Sequence, residues 1–512
     1  MSTKRVRRRT CLIIGLLVAP ITCRSPSSAL VVSPKNGMIE PGATRQLVAV
    51  AWGTDSPLSP TGTTWDSRSP SVAMVSGSGV VRGLAVGTAW VVASRAGGRD
   101  STKVTVQRVP TSVVIANASA PGMLSADVGI TVRTAVTPGA MLLDINPGES
   151  IQGKVNANPA GTAFRIKAGT HRRQTIVPKS GNQFIGEPGA VLDGENTTEY
   201  AFHYGRGTAS YPSNVRIRGL VITRYRTRPQ FGAVTAGDST GREGRDWVVE
   251  DNEISRNAGV AVRIASGMQL LRNSLHHNGQ AGVSGVGHSV LVEGNEIAFN
   301  NPARAFDYEW EAGGAKFVLT DSLIVRDNHI HDNIGPGLWT DIENINTLYE
   351  GNRIENNADV GIYHEISYRA TIRNNTIRGN GWDRLGRLMI WGRGAGILIS
   401  ASTNVDITGN IVAGNAQGIT AFQQNRGSGR FGVHRLANIL VWSNTIEMNV
   451  GGSGIAQDSS DPDLFAPARN IRFYENRYLL GTMPRYFHWN SAERTRLEWQ
   501  AAGQDIGSTF NR

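Results

Sequence analysis

Asn252-Glu253-Ile254-Ser255-Arg256-Asn257 is followed 21 residues on by Asn273-Ser274-Leu275-His276-His277-Asn278, and 22 residues after that by Asn295-Glu296-Ile297-Ala298-Phe299-Asn300. The shared frame is Asn, any residue, an aliphatic residue, two more residues, Asn. It occurs eight times, with first asparagines at Asn252, Asn273, Asn295, Asn328, Asn352, Asn375, Asn410 and Asn444 and the last second asparagine at Asn449. Successive spacings are 21, 22, 33, 24, 23, 35 and 34 residues. A recurring unit of this size is the mark of a solenoid, and the lengthened units read as coils with loops let into them.

The local chemistry favours strands. Trp247-Val248-Val249-Glu250, Val290-Leu291-Val292-Glu293 and Leu323-Ile324-Val325-Arg326 precede first asparagines. Gly259-Val260-Ala261-Val262, Gly361-Ile362-Tyr363-His364 and Gly418-Ile419-Thr420-Ala421 follow second ones. Short β-rich runs between Asn and Gly suit a parallel β-helix, where about 22 residues at roughly 3.3 Å each circle the axis once. Helical solenoids need roughly 33 residues or more per unit, and the short units here are too small for them. Asn tolerates a left-handed bend, and a stacked Asn amide can bond to the Asn above and below, so both asparagine columns are expected at bends between faces. The aliphatic residues between them, Ile254 to Ile446, are expected to stack in the core.

These repeats resemble the right-handed parallel β-helix family, the pectin-lyase-like fold, over 146–505. Ser150-Ile151-Gln152 opens a short amphipathic stretch, and Thr162 to Thr170 with Val191-Leu192-Asp193-Gly194 read as first coils. End caps are expected, because an open solenoid end exposes core and unpaired strand edges.

Ahead of the solenoid, residues 30–107 alternate apolar and polar positions between turns, as a small β-sandwich does. Glu40-Pro41-Gly42-Ala43-Thr44, Thr64-Trp65-Asp66-Ser67-Arg68-Ser69-Pro70 and Gly79-Val80-Val81-Arg82-Gly83 resemble the bacterial immunoglobulin-like domain, group 2. The resemblance implies a spacer or adhesive module. Residues 108–145, with Pro110, Pro121 and Pro138, read as a linker. The fold class is therefore all-β: a right-handed parallel β-helix preceded by an Ig-like sandwich.

Residues 1–29 carry Lys4, Arg5, Arg7, Arg8, Arg9 and Arg24 and no acid, then the apolar run Cys11 to Ala19 and the small residues Ser27-Ser28-Ala29. That is an export signal, placing the protein outside the cytoplasm or on the cell surface. Removing its six cations from the formal net charge of +11 leaves +5, too mild an excess to indicate nucleic acid. Both cysteines, Cys11 and Cys23, lie in this leader, so the folded part has no thiol chemistry. Cys23 admits a second reading as a lipidated first residue, which would be the chain's one membrane attachment. With 60 glycines and 18% charged residues, the composition suits a turn-rich β protein. A monomer is expected.

Aligning the later strands on Gly314, Gly337, Gly361, Gly396 and Gly418 puts the first and third residues after each Gly inward and the second and fourth outward. Lys316, Trp339 with Asp341, Tyr363 with Glu365, and Leu398 with Ser400 then share one outer face. Adjacent coils lie about 4.8 Å apart, so Asp341 and Glu365 are expected side by side and exposed, with Lys316 as a further catalytic candidate. Two like charges that close let one carboxyl hold a proton while the other stays ionised, and a separation near 5 Å is that of a retaining glycosidase pair. Trp339 and Tyr363 would offer flat faces to sugar rings. The insertion Phe306 to Glu311 would wall the cleft, with Glu311 and Arg393 as further binding residues. His364 falls inward and reads as a core histidine, and His276, His277, His329 and His331 read as solvated.

The same acids could instead gather a structural calcium ion, or form a solvated face neutralised by Lys316 and Arg393. No other cofactor is expected. The family resemblance implies a polysaccharide partner: a lyase would take an anionic glycan with a base such as Lys316, a hydrolase would use Asp341 and Glu365, and a surface adhesin would bind without turnover.

Overall fold

A computed structural model describes residues 30–33, 37–39, 41–42, 44–51, 62–95, 98–106, 142–205, 211–382, 392–458 and 461–511. The leader with its two cysteines and most of the expected linker lie outside them. The chain divides into two compact units, 1–116 and 117–512. Among the described residues no helix is long and apolar enough to cross a membrane.

The first unit is built on a four-stranded sheet (Gly37–Ile39, Gly98–Val106, Gly87–Arg95, Thr64–Ser67) and a three-stranded one (Thr44–Gln46, Val80–Gly83, Ala73–Val75). Leu47, Val81, Val91 and Val104 fill its core. Gly79, at φ +85°, has the Leu47 carbonyl 2.5 Å and the Trp65 ring 3.0 Å from where a Cβ would stand, so no side chain fits there.

The second unit is a solenoid of three long sheets with 13, 13 and 12 strands. Its coil-to-coil pairings are parallel, as between Val248–Glu250 and Gln269–Leu271 or Glu253–Ser255 and Ser274–His276. It begins earlier than 146, because Leu142–Ile145 already pairs with Ala163–Ile166 in the first sheet. In the second sheet Ile254, Leu275, Ile297, Ile330, Ile354, Ile377, Val412 and Ile446 lie in register, fully buried.

The asparagines form two ladders inside the core. In the first, each Nδ2 donates to the next Oδ1 at 2.9–3.1 Å from Asn252 through Asn444 to Asn476, which the repeat pattern missed. The second runs from Asn257 to Asn415 at 2.8–3.1 Å, whereas Asn449 is exposed and off the ladder. The left-handed residue is not the Asn but the one before it, as at Asp251 (φ 55°), Arg272 (φ 53°) and His277 (φ 56°). Turning the chain one residue early swings the Asn side chain inward. There Asn273 Oδ1 accepts from the Asn252 backbone amide while its Nδ2 reaches the Val249 carbonyl, so buried turn groups that water cannot reach are satisfied.

The glycines that open the third-sheet strands have a packing reason. A Cβ on Gly361 would stand 2.6 Å from Ile377 Cγ2 and 3.2 Å from Asn380 Nδ2, and Gly337 meets Ile354 and Asn357 in the same way. Both ends are capped. Helix Ile151–Ala157, N-capped by Ser150, buries Ile151 and Val155, and helix Arg496–Ala501 buries Trp499.

Candidate functional site

The third sheet carries Lys316, Trp339, Tyr363 and Leu398 in one outward register, as the glycine alignment requires. Asp341 pairs with Val318 and Glu365 with Ser400, and the Thr340–His364 pairing puts the two acids at the next position on neighbouring coils. This face is not exposed as expected. Asp341 is 8% and Glu365 6% accessible, because loops let into the long coils fold over them.

Each acid has its own cation. Lys316 Nζ lies 2.8 Å from Asp341 Oδ2, also donates to the Trp310 carbonyl of the 301–312 insertion, and sits 3.6 Å from the Trp339 ring centroid. Glu365 Oε1 is 2.7 Å from Arg426 Nη1, and its Oε2 accepts from the Trp339 indole at 3.2 Å. Among the described residues the buried Asp341 Oδ1 has no hydrogen-bond partner, unlike the other oxygens of the acid pair.

The aromatic residues do not offer open faces. Trp339 and Tyr363 stack at 5.3 Å and 15°, 3% and 1% accessible, with Lys316 against one end of the stack and Arg393 5.2 Å over the Tyr363 ring at the other. A column of rings one coil apart satisfies its own faces. Burial and the adjacent Glu365 push the Tyr363 phenol well up. Burial alone would lower the Arg393 guanidinium, but Tyr363, Asp359, Glu365 and Glu309 around it hold it raised. The cation directly on Glu365 is Arg426 rather than Arg393, and sequence reasoning missed it. It lies on the 423–436 excursion, 61 residues from Glu365, with no motif to mark it. Glu311 is held elsewhere: its carboxylate accepts from Gln230 and its carbonyl from Gln280 at 2.9 Å.

Lys316 as a free base does not fit its ion pair. Calcium does not fit the acids either, since an ammonium and a guanidinium already occupy them, and among the described residues no group of three or more His, Cys, Asp or Glu is placed to hold a metal.

His364 lies inward, bonded through Nδ1 to Thr340 at 2.7 Å and through Nε2 to the Tyr368 carbonyl at 2.8 Å, and burial lowers it to about 4. His276, His277, His329 and His331 are half-buried, their rings packed on one another rather than fully solvated. On the second sheet's outer side His276, His277, Phe299, His331 and His329 form a continuous ring column with centroids 4.1–5.4 Å apart. Burial and then His276 lower His277 to about 4.

A parallel solenoid with two adjacent buried carboxylates beneath inserted loops defines a β-helix protein with an enclosed acidic site. Residues 232–412 match the family described as right handed beta helix region, and 29–106 match bacterial Ig-like domain (group 2). The chain is thus a right-handed parallel β-helix protein with an N-terminal bacterial Ig-like domain. No curated protein matches it. Among solved structures it is similar to the complex of XylC with xylose, at 12% identity and TM-score 0.51 over 72% of this chain and 86% of that one. The A-module of the mannuronan C-5 epimerase AlgE6 of Azotobacter vinelandii matches at 16% identity and TM-score 0.44, over 70% and 93%. An α-1,3-glucanase catalytic unit from Streptomyces thermodiastaticus matches at 10% and 0.45, over 75% and 70%. At these identities the likeness concerns the fold alone.

Proposed function

We propose that this is an exported glycoside hydrolase acting on a polysaccharide, with Asp341 and Glu365 as the reacting carboxylates. The observation that carries the reading is the acid pair on adjacent coils, in which Asp341 Oδ1 is buried yet without a hydrogen-bond partner among the described residues, while Lys316 fixes the other oxygen. A buried, unpartnered carboxylate oxygen is costly unless something else comes to meet it, and an anomeric carbon is a suitable partner. Coil spacing of about 4.8 Å agrees with the short separation of a retaining mechanism.

Asp341 Oδ1 attacks the anomeric carbon, the bond to the leaving oxygen breaks, and Glu365 gives that oxygen its proton. Water then attacks the glycosyl ester, Glu365 takes the water's proton, and Asp341 leaves as carboxylate. Arg426, whose side chain is 36% exposed, is the partner that must yield Glu365 Oε1 for the proton. Export is supported by the leader composition, and the Ig-like domain suits a spacer on an exported enzyme.

The test is incubation of the mature protein with a polysaccharide panel. New reducing ends without ultraviolet-absorbing unsaturated products are expected, and products with a new C=C absorbance would overturn the reading in favour of a lyase. With an activated glycoside, azide rescue of Asp341→Gly should yield a glycosyl azide of inverted anomeric configuration. Binding without either product would leave an adhesive protein.

A further inference from the structure

Two large aromatic rings left in water on the loops over this face are the feature that packing does not explain. Trp310 is 71% and Phe431 47% exposed. Both sit on loops that reach the acid pair from different coils. Trp310 belongs to the insertion whose carbonyl accepts from Lys316, and Lys316 holds Asp341. Phe431 belongs to the hairpin Ser428–Gly429 with Gly432–Val433, on the same excursion as Arg426, which holds Glu365.

The hairpin is fixed rather than loose. Arg430 Nε lies 2.7 Å from Glu343 Oε2, the Tyr368 hydroxyl donates to the Gly432 carbonyl at 2.8 Å, and Phe431 packs edge-on against Tyr368 at 5.3 Å. The Arg430 guanidinium lies 5.1 Å over the ring, and the residue still stays half exposed. Trp339 and Tyr363 cannot do this work, since their faces are covered by each other, Lys316 and Arg393.

Charge narrows the ligand. The cations set on the acid pair are committed: Lys316 to Asp341 and Arg426 to Glu365, with Arg430 on Glu343 and Arg393 facing Asp359, Glu365 and Glu309, whereas Arg435 at the end of the same excursion points into water. A uronate laid against Asp341 and Glu365 would bring further carboxylates to two acids whose described cations are already paired, at the cost of like-charge repulsion and desolvation. The apolar faces of neutral pyranose rings meet no such penalty.

Resting on the hydrolase reading of the acid pair, we infer that Trp310 and Phe431 are sugar-binding platforms, one on each of the two loops that reach the acid pair, and that the chain they take is a neutral pyranose polysaccharide. Affinity electrophoresis tests this without requiring turnover. Gels containing xylan, β-glucan or mannan should retard the wild-type protein in at least one case, and polygalacturonate should not. Trp310→Ala and Phe431→Ala should each weaken that retardation about tenfold, the size expected of one aromatic anchor. Trp310→Phe should restore most of it, and thermal unfolding should stay within about 2 °C of wild type, as for exposed positions. Unchanged retardation in the alanine variants, stronger retardation by polygalacturonate, or none by any neutral glycan would each overturn the inference. Reducing ends released equally by wild type and ring variants would sink the platforms and leave the hydrolase. Retardation lost in the variants, with no product from wild type, would do the reverse.

Discussion

Asp341 and Lys316 form the residue-scale unit on which the site depends. Their side chains are 11% and 13% exposed, so the pair is nearly desolvated and removing one charge strands the other. Asp341→Asn should therefore abolish turnover, by about 10³-fold or more, and also lower stability by about 1–3 kcal/mol. Adding Lys316→Met should recover part of that stability and none of the turnover. Both are read from reducing-end release and urea melts, and an Asp341→Asn protein as stable as wild type would contradict the buried ion pair. The sequence located both residues from the glycine alignment. It could not show that they meet, because that depends on a lysine crossing between coils.

At the scale of elements, the asparagine ladder and the glycine column carry the turn. Asn375 Nδ2 serves the Tyr349 and Arg373 carbonyls and Asn410 Oδ1, and its own Oδ1 accepts from Asn352. Asn375→Leu leaves those buried groups without partners, at about 1–3 kcal/mol each before relaxation. Loss of cooperative unfolding in the 350–410 coils is expected, visible as accelerated hydrogen exchange there. Gly361→Ala should cost about 1–3 kcal/mol by overpacking, since the new Cβ would stand 2.6 Å from both Ile377 and the Gly396 carbonyl, a clash in each case. A neutral Gly361→Ala would mean that the corner can open. The repeat pattern made this layer legible, since every coil applies the same constraint. It misassigned the left-handed bend to the Asn because the residue before it varies in type: Asp251, Arg272 and His277 all adopt it.

Across the whole molecule, two buried groups show how stability responds to pH. His364 is held neutral, its folded value lowered to about 4 from 6.5, so the unfolded chain binds the proton first. Its contribution to stability is complete above about pH 6.5 and is lost as pH falls towards 4. For Glu355, burial alone would raise the carboxyl, but His329 and Arg353 outweigh it and bring it to about 2, so its contribution is lost between about 4.5 and 2. His277, also lowered to about 4, acts in the same upper window, so melting temperature should fall in two stages on acidification and His364→Gln should reduce the first without removing it. The far end of the solenoid should be the second weak point. Trp499 closes the last coil, donating to Asp505 Oδ2 at 2.6 Å and stacking on Phe487 at 5.0 Å. Trp499→Ala should cost about 3–5 kcal/mol and begin unfolding at the C-terminal coils, which limited proteolysis would locate.

By itself the sequence determined whatever repeats: the coil length, the stacked aliphatic column, the asparagine columns, the inward and outward alternation, and hence which two acids lie on neighbouring coils. A periodic structure writes each constraint many times, so each can be read locally. The tertiary structure decided what is written once. Loops let into particular coils bury Asp341 and Glu365 rather than exposing them. One brings Arg426 across 61 residues to Glu365, and another turns the Trp310 carbonyl onto Lys316. Ring stacking along the axis closes the Trp339 and Tyr363 faces and leaves Trp310 and Phe431 in water. Those outcomes depend on where irregular segments fold back, and no local period encodes that.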